Sequence, residues 1–251
     1  MTGTLAHITP IRGVNDEGKG KKHALHRLIH ASQVDVLWLH DDDVQLPEAT
    51  DEEALQAMRE TDLLILPLRM QTVHDTLIER LQVIEYAALQ SLTVRMAKKG
   101  QPILCSGANL LVRRDVWLEA EPHLHPDIPS GDDMFLLEYC KRCGKRIRVE
   151  DDRRFTATVQ ALPTLGALMH QRARWAGKAP HYTDRDIRRY GALVTIALVL
   201  QAVCPPLVLL YLPFEWRLAR TGRWWEILLL AIVYPYYALA AILAGLNKHT
   251  W

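Results

Sequence analysis

Three consecutive carboxylates, Asp41, Asp42 and Asp43, follow the apolar run Val34 to Leu39. If the chain stays extended through them, side chains at i and i+2 share a side, so Asp41 and Asp43 can face one point while Asp42 faces away. Oxygen donors of that kind suit Mg²⁺ or Mn²⁺, and such an ion can hold a diphosphate. A solvated acidic turn is the alternative. A second acidic pair, Asp132-Asp133, opens a helical pattern running through Phe135, Leu136 and Tyr139. Carboxylates at a helix start act as capping and dipole partners. One held at the mouth of a cleft can also take a proton from a hydroxyl. Gln171, Arg174 and Trp175 fall at i, i+3 and i+4 of a helix read over Thr164 to Lys178, and so share a face. An arginine fork beside an indole suits a phosphate and a sugar ring; a helix lying on a membrane surface is the competing account.

Two smaller features complete the set. Lys21 follows a glycine at the start of a helical pattern, where a lysine can reach a phosphate, although most such lysines are only solvated. Between two short apolar runs, Ser106-Gly107-Ala108-Asn109 reads as a tight turn. Its small residues let a ligand approach the backbone, and Asn109 offers both a donor and an acceptor.

These residues need a scaffold. Val34 to Leu39 reads as a buried strand, and the carboxyl end of such a strand is where an open α/β sheet places its ligand. Around it the pattern predicts an extended run at Leu5 to Ile11, helices at Glu48 to Glu60, Asp75 to about Lys99 and Arg114 to Glu121, and strands at Leu63 to Pro67, Lys145 to Val149 and Phe155 to Val159. That alternation belongs to an α/β domain.

The 251 residues carry a net charge of +1, which gives no pull toward nucleic acid. Cys140-x-x-Cys143 lacks a second ligand pair and lies among Lys141, Arg142 and Lys145, which argues against zinc or redox chemistry. No secretory signal peptide opens the sequence, so a reduced, cytoplasm-facing domain is expected. Gly191 to Leu212 and Ile227 to Leu246 carry no charged residue and are long enough to cross a bilayer. Trp216, Trp224 and Trp225 lie between them with Arg217, Arg220 and Arg223, as interfacial anchors would. Pro205-Pro206 allows a kink in the first span. The arginines on both sides leave the orientation open. A metal phosphohydrolase built on His40-Asp41 would need further histidine ligands, and His23, His26 and His30 read better as one helix face.

In order, these pieces are Gly20-Lys21-x-x-Ala24-Leu25, Asp41-x-Asp43, Gly107-Ala108-Asn109, Asp132-Asp133 and Gln171-x-x-Arg174-Trp175, followed by apolar spans. The series resembles the membrane-associated family 2 glycosyltransferases, a group including cellulose, hyaluronan and chitin synthases and ceramide glucosyltransferases. The resemblance implies a Rossmann-like GT-A domain over residues 1–180 and a membrane hairpin over 181–251, with spans near 191–212 and 227–246. By position, Asp41 and Asp43 would bind Mg²⁺ or Mn²⁺ and the donor diphosphate, and Lys21 would lie near the nucleotide. Gly107, Ala108 and Asn109 would line the sugar pocket. Asp133 would be the general base, with Asp132 as its acidic partner. Gln171, Arg174 and Trp175 would steady the diphosphate and the acceptor. The implied reaction is inverting transfer from a nucleotide-sugar, expected to be UDP-linked, to a lipid or glycan hydroxyl. It would occur at the cytoplasmic face of the inner membrane, on a multi-pass protein in contact with membrane lipid. Only about twenty residues precede Lys21, so the family's opening βα unit is expected to be missing. A non-catalytic fragment or pseudoenzyme that binds no donor is therefore the rival reading.

Overall fold

The computed structural model describes residues 3–10, 20–128, 130–207 and 222–247. The chain forms two compact units: residues 1–68 with 93–159, and residues 69–92 with 160–251.

In the first unit five strands form a mixed sheet in the order β1 (Leu5–Ile8), β2 (Val36–His40), β5 (Asn109–Arg113), β3 (Leu63–Ile65) and β6 (Ile147–Val149). β1 runs parallel to β2 and β3 parallel to β6, while β5 is antiparallel to both of its neighbours. Every residue of β2 is buried, as expected for an uninterrupted apolar strand covered on both faces. Trp38, Val36, Leu64, Leu111, Met58 and Phe155 form the core against it. The helices α1 (Lys21–Ala31), α2 (Asp51–Ala57), α4 (Arg114–Ala120) and α5 (Asp132–Arg142) surround the sheet in sequence. α2 begins where Thr50 and Glu53 cap each other, Glu53 N–H donating to Thr50 Oγ1 at 3.3 Å and Thr50 N–H to Glu53 Oε2 at 2.9 Å.

Two short strands, β4 (Leu68–Gln71) and β7 (Ala157–Gln160), straddle the boundaries between units, and β4 had no clear signal in the sequence. The expected strand at Leu63 to Pro67 ends at Ile65, before Pro67, which has no N–H to give a ladder, and β4 starts at Leu68 in a separate two-stranded sheet with β7. α3 (Leu77–Lys98) carries the chain from the second unit back into the first.

The second unit contains the amino-terminal part of α3 with α6 (Leu165–Ala176), α7 (Arg185–Val203) and α8 (Trp224–Asn247). α8 meets α6 at Gly245, where an added Cβ would lie 2.4 Å from the Ala173 carbonyl oxygen; only glycine allows that approach. Arg80 Nε donates to the buried Glu226 at 2.7 Å, joining α3 to α8. Among the described residues, α8 is the one helix long and apolar enough to cross a membrane. The expected first span behaves differently. It is helical only to Val203, then passes through Cys204 into a 3₁₀ turn at Pro205–Leu207, where the two prolines cannot continue the helical hydrogen bonds. Residues 208–212 of that span, and Trp216, Arg217 and Arg220 of the connector, lie outside the described residues.

Candidate active site

The register of β2 and β5 decides which motifs meet. Because these strands are antiparallel, His40 at the carboxyl end of β2 pairs with Asn109 at the amino end of β5. The acidic triplet and the Gly107-Ala108-Asn109 turn therefore emerge at the same end of these two central strands. The strand does not continue through the triplet, as an extended reading requires. It stops at His40, and Asp42 and Asp43 form a turn. Side-chain alternation therefore does not relate Asp41 to Asp43. Asp41 is half-buried and ion-paired to Lys21 at the first position of α1. Asp43 is exposed, with no hydrogen-bond partner among the described residues.

The second acidic pair enters from α5. Gly131 precedes the helix with φ 103°, a left-handed conformation suited to glycine. Asp133 then reaches the small-residue turn: its Oδ2 accepts the Gly107 N–H at 3.0 Å and its Oδ1 accepts the Met134 N–H at 2.8 Å. The Cys105 thiol donates to the Asp133 carbonyl at 3.0 Å, a second link between this loop and the helix start. Burial pushes the Cys105 thiol well above its ordinary range, with the Asp133 carboxylate adding to the shift, so it is poorly suited to act as a nucleophile. Asp133 itself is only half-buried. Asp132 points inward, 8% exposed, where burial raises its pKa and the Lys22 ammonium at 2.7 Å opposes that rise.

The three residues of the turn differ in role. Gly107 presents its amide and Ala108 is buried. Asn109 is 1% exposed and fully engaged: Oδ1 accepts from Trp38 Nε1 at 2.9 Å, and Nδ2 donates to the carbonyls of Pro67 at 2.9 Å and Phe155 at 2.8 Å. Its side chain braces the core and leaves no amide group for a ligand.

Gln171, Arg174 and Trp175 all lie on α6 in the second unit. The arginine over the indole is Arg172, whose guanidinium carbon is 4.3 Å from the Trp175 ring centre. Arg172 also forms a bidentate pair with Glu85 at 3.1 and 3.0 Å and donates to Gln171. Burial works against its charge, but Glu85 more than offsets this, and its pKa is raised. Arg174 is half-buried and has no ion-pair partner among the described residues. The periodicity treated position 172 as a spacer, so Arg172 and its partner Glu85 were missed, as was Lys22. The one available signal was chemical: an arginine inside a motif and a lysine beside one are long cations that need a partner when buried.

No group of three or more histidine, cysteine, aspartate or glutamate side chains gathers into a metal site among the described residues. Two carboxylates are nonetheless a fitting donor set for a hard divalent ion that takes its remaining ligands from substrate phosphate and water.

A family model described as "Glycosyltransferase like family 2" matches residues 3–178, and the chain belongs to that family. It is a glycosyltransferase with a GT-A-like α/β fold. Among solved structures it is similar to a mannosyltransferase from Pyrobaculum calidifontis determined with GDP-mannose and Mn²⁺. The two are 18% identical, with a TM-score of 0.53 over 93% of this chain and 68% of that one. A mycobacterial protein, 19% identical, aligns over 62% of this chain and 50% of its own with a TM-score of 0.34. No curated protein sequence matches the chain.

Proposed function

We propose that the protein transfers a sugar from a nucleoside-diphosphate donor to a hydroxyl of a lipid or glycan by a single inverting displacement. The observation that carries this reading is the Asp133 carboxylate. It is only half-buried, yet fixed by the Gly107 and Met134 amides on a turn small enough for a sugar to approach. In the proposed step Asp133 takes the proton of the acceptor hydroxyl. The hydroxyl oxygen forms a bond to the anomeric carbon as the bond from that carbon to the diphosphate breaks, and configuration inverts. Asp41 and Asp43 would hold Mg²⁺ or Mn²⁺, whose charge offsets that of the departing diphosphate. Lys21 adds a cation beside Asp41. Asp132 supports the helix start from inside, while Gln171, Arg174 and Trp175 serve the acceptor and diphosphate. The donor is UDP-linked on the family resemblance; the GDP-mannose held by the structural neighbour makes a guanosine donor the second arm of the test.

We place this chemistry at the cytoplasmic face of the inner membrane, with α7 and α8 as parts of a membrane hairpin. α8 turns Ala231, Ala241 and Gly245 inward and Ile232, Val233 and Leu243 outward, the arrangement expected of a helix facing lipid. α7 likewise exposes Leu193, Ile196, Val199 and Val203 beyond its basic first turns.

Calorimetry on detergent-solubilised protein tests the donor site. UDP or GDP should bind in the presence of Mn²⁺, and the Asp41→Ala, Asp43→Ala double variant should lose that binding. Folded wild-type protein that binds neither nucleotide would refute the reading and favour a non-catalytic role.

A further inference from the structure

Lys22 follows Lys21 in α1, and nothing in the proposed chemistry uses it. Its side chain is 11% exposed and its ammonium sits among four oxygens: the carbonyls of Leu124 at 2.5 Å, His125 at 2.7 Å and Ile128 at 3.2 Å, and the Asp132 carboxylate at 2.7 Å. An ammonium has three protons to donate and no acceptor, so these four groups account for all of them. The carbonyls belong to the segment leading into α5, which forms neither helix nor strand from Leu124 to Ile128. That segment bends at His125, whose φ of 50° lies in the left-handed region that few non-glycine residues occupy. Lys22 takes carbonyls at and on both sides of the bend.

The consequence falls on the next residue. Gly131, at the N-cap of α5, has no side chain with which to cap the helix, so the helix start needs other anchors. The Asp133 side chain is anchored by Gly107. The Cys105 thiol holds the Asp133 carbonyl, and the Lys22 ammonium holds the carbonyls of the preceding segment and also grips Asp132. We propose that Lys22 is a positioning residue for Asp133: it ties the Leu124–Ile128 segment and Asp132 to α1 and thereby holds the base carboxylate at its working place. This rests on the reading of Asp133 as the base. Proton transfer demands hydrogen-bond reach, and a displacement of about 1 Å can cost roughly a hundredfold in rate.

The test uses the full chain with Mn²⁺ and either UDP-glucose or GDP-mannose, following release of the nucleoside diphosphate. In this assay water is the acceptor: it forms the bond to the anomeric carbon, loses its proton to the base, and the bond to diphosphate breaks. The Lys22→Met, Asp132→Asn double variant removes both charges together, which avoids stranding a buried carboxylate. Turnover should fall between about tenfold and a hundredfold. Nucleotide affinity in calorimetry should stay within about twofold, since no group touching the donor has changed. Deuterium uptake over residues 124–131 should rise, and Lys22→Arg, which keeps the charge, should recover most of the turnover. Lys22→Gln, with Asp132 intact, gives a second background for the same readouts. Unchanged turnover in either folded variant, or turnover and nucleotide affinity falling together, would overturn the proposal. Asp133→Asn, run alongside, separates the two layers. If it keeps full turnover, the base reading fails; if it is inactive while the Lys22 variants are not, only the tether fails.

Discussion

The acidic groups at the end of β2 and those at the start of α5 have the same chemistry in different settings. Each pair gives one member to a lysine in the first turn of α1: Asp41 to Lys21, and Asp132 to Lys22. The first ion pair is about one-third exposed on both sides, the second only 11%. Exposed pairs contribute little and exchange partners readily, whereas breaking a buried pair strands a charge. The remaining members differ in the same sense. Asp43 sits exposed in a turn without a hydrogen-bond partner among the described residues, while Asp133 is pinned by two amides. A carboxylate that recruits a ligand must be able to change partners, and one that receives a proton in flight must already be in place. The β2 end has the first character and the α5 start the second.

Three experiments would break or sharpen that contrast. The largest effect is expected at Asp133: Asp133→Asn keeps an acceptor for the Gly107 amide but loses the base, so turnover should fall by at least about a hundredfold. Nucleotide affinity should be little changed, and an equal loss of binding would remove the distinction between the two sites. A smaller effect is expected at Asp43. Asp43→Asn should weaken nucleotide binding roughly tenfold in the presence of Mn²⁺ and leave metal-free binding unaltered, which calorimetry at two metal concentrations would show. The smallest is a control on the scaffold. Asp62 accepts from the Arg146 side chain and backbone at 2.8–3.2 Å, contacts that hold its carboxyl below the ordinary range of about 3.8. A carboxyl lowered in the folded state adds stability above its unfolded pKa and loses it as pH falls through the native one. Urea unfolding midpoints should therefore drop below pH 3.8 in the wild type and less so in Asp62→Asn, by under about 1 kcal/mol because the pair is partly solvated.

Much of the fold was legible from local pattern. The strand at Val36–His40, the long helix after Asp75 and the helix that opens at Asp132 follow from apolar runs and 3.6-residue spacing, which depend on near neighbours alone. The end of β2 was not. Asp41 to Asp43 could equally extend a strand or leave it, and the turn at Asp42 and Asp43 placed the two carboxylates by turn geometry in place of alternation. The engagement of the Asn109 amide was not legible for a related reason. Its type suits a ligand, but the register that sets it opposite His40 also surrounds its amide with Trp38, Pro67 and Phe155, which lie 71, 42 and 46 residues away in the chain.

The residue types and their order determined the family, the motifs and most of the elements, because each rests on interactions spanning a few positions. Tertiary structure decided the partners. Lys21 meets Asp41 across 20 residues, Lys22 meets the Ile128 carbonyl across 106, and Arg172 meets Glu85 across 87. Which charge finds which is set by strand register and helix docking, and no local pattern carries that information. Lys21 stays about one-third exposed, whereas burial turns Lys22 and Arg172 into parts of the structure.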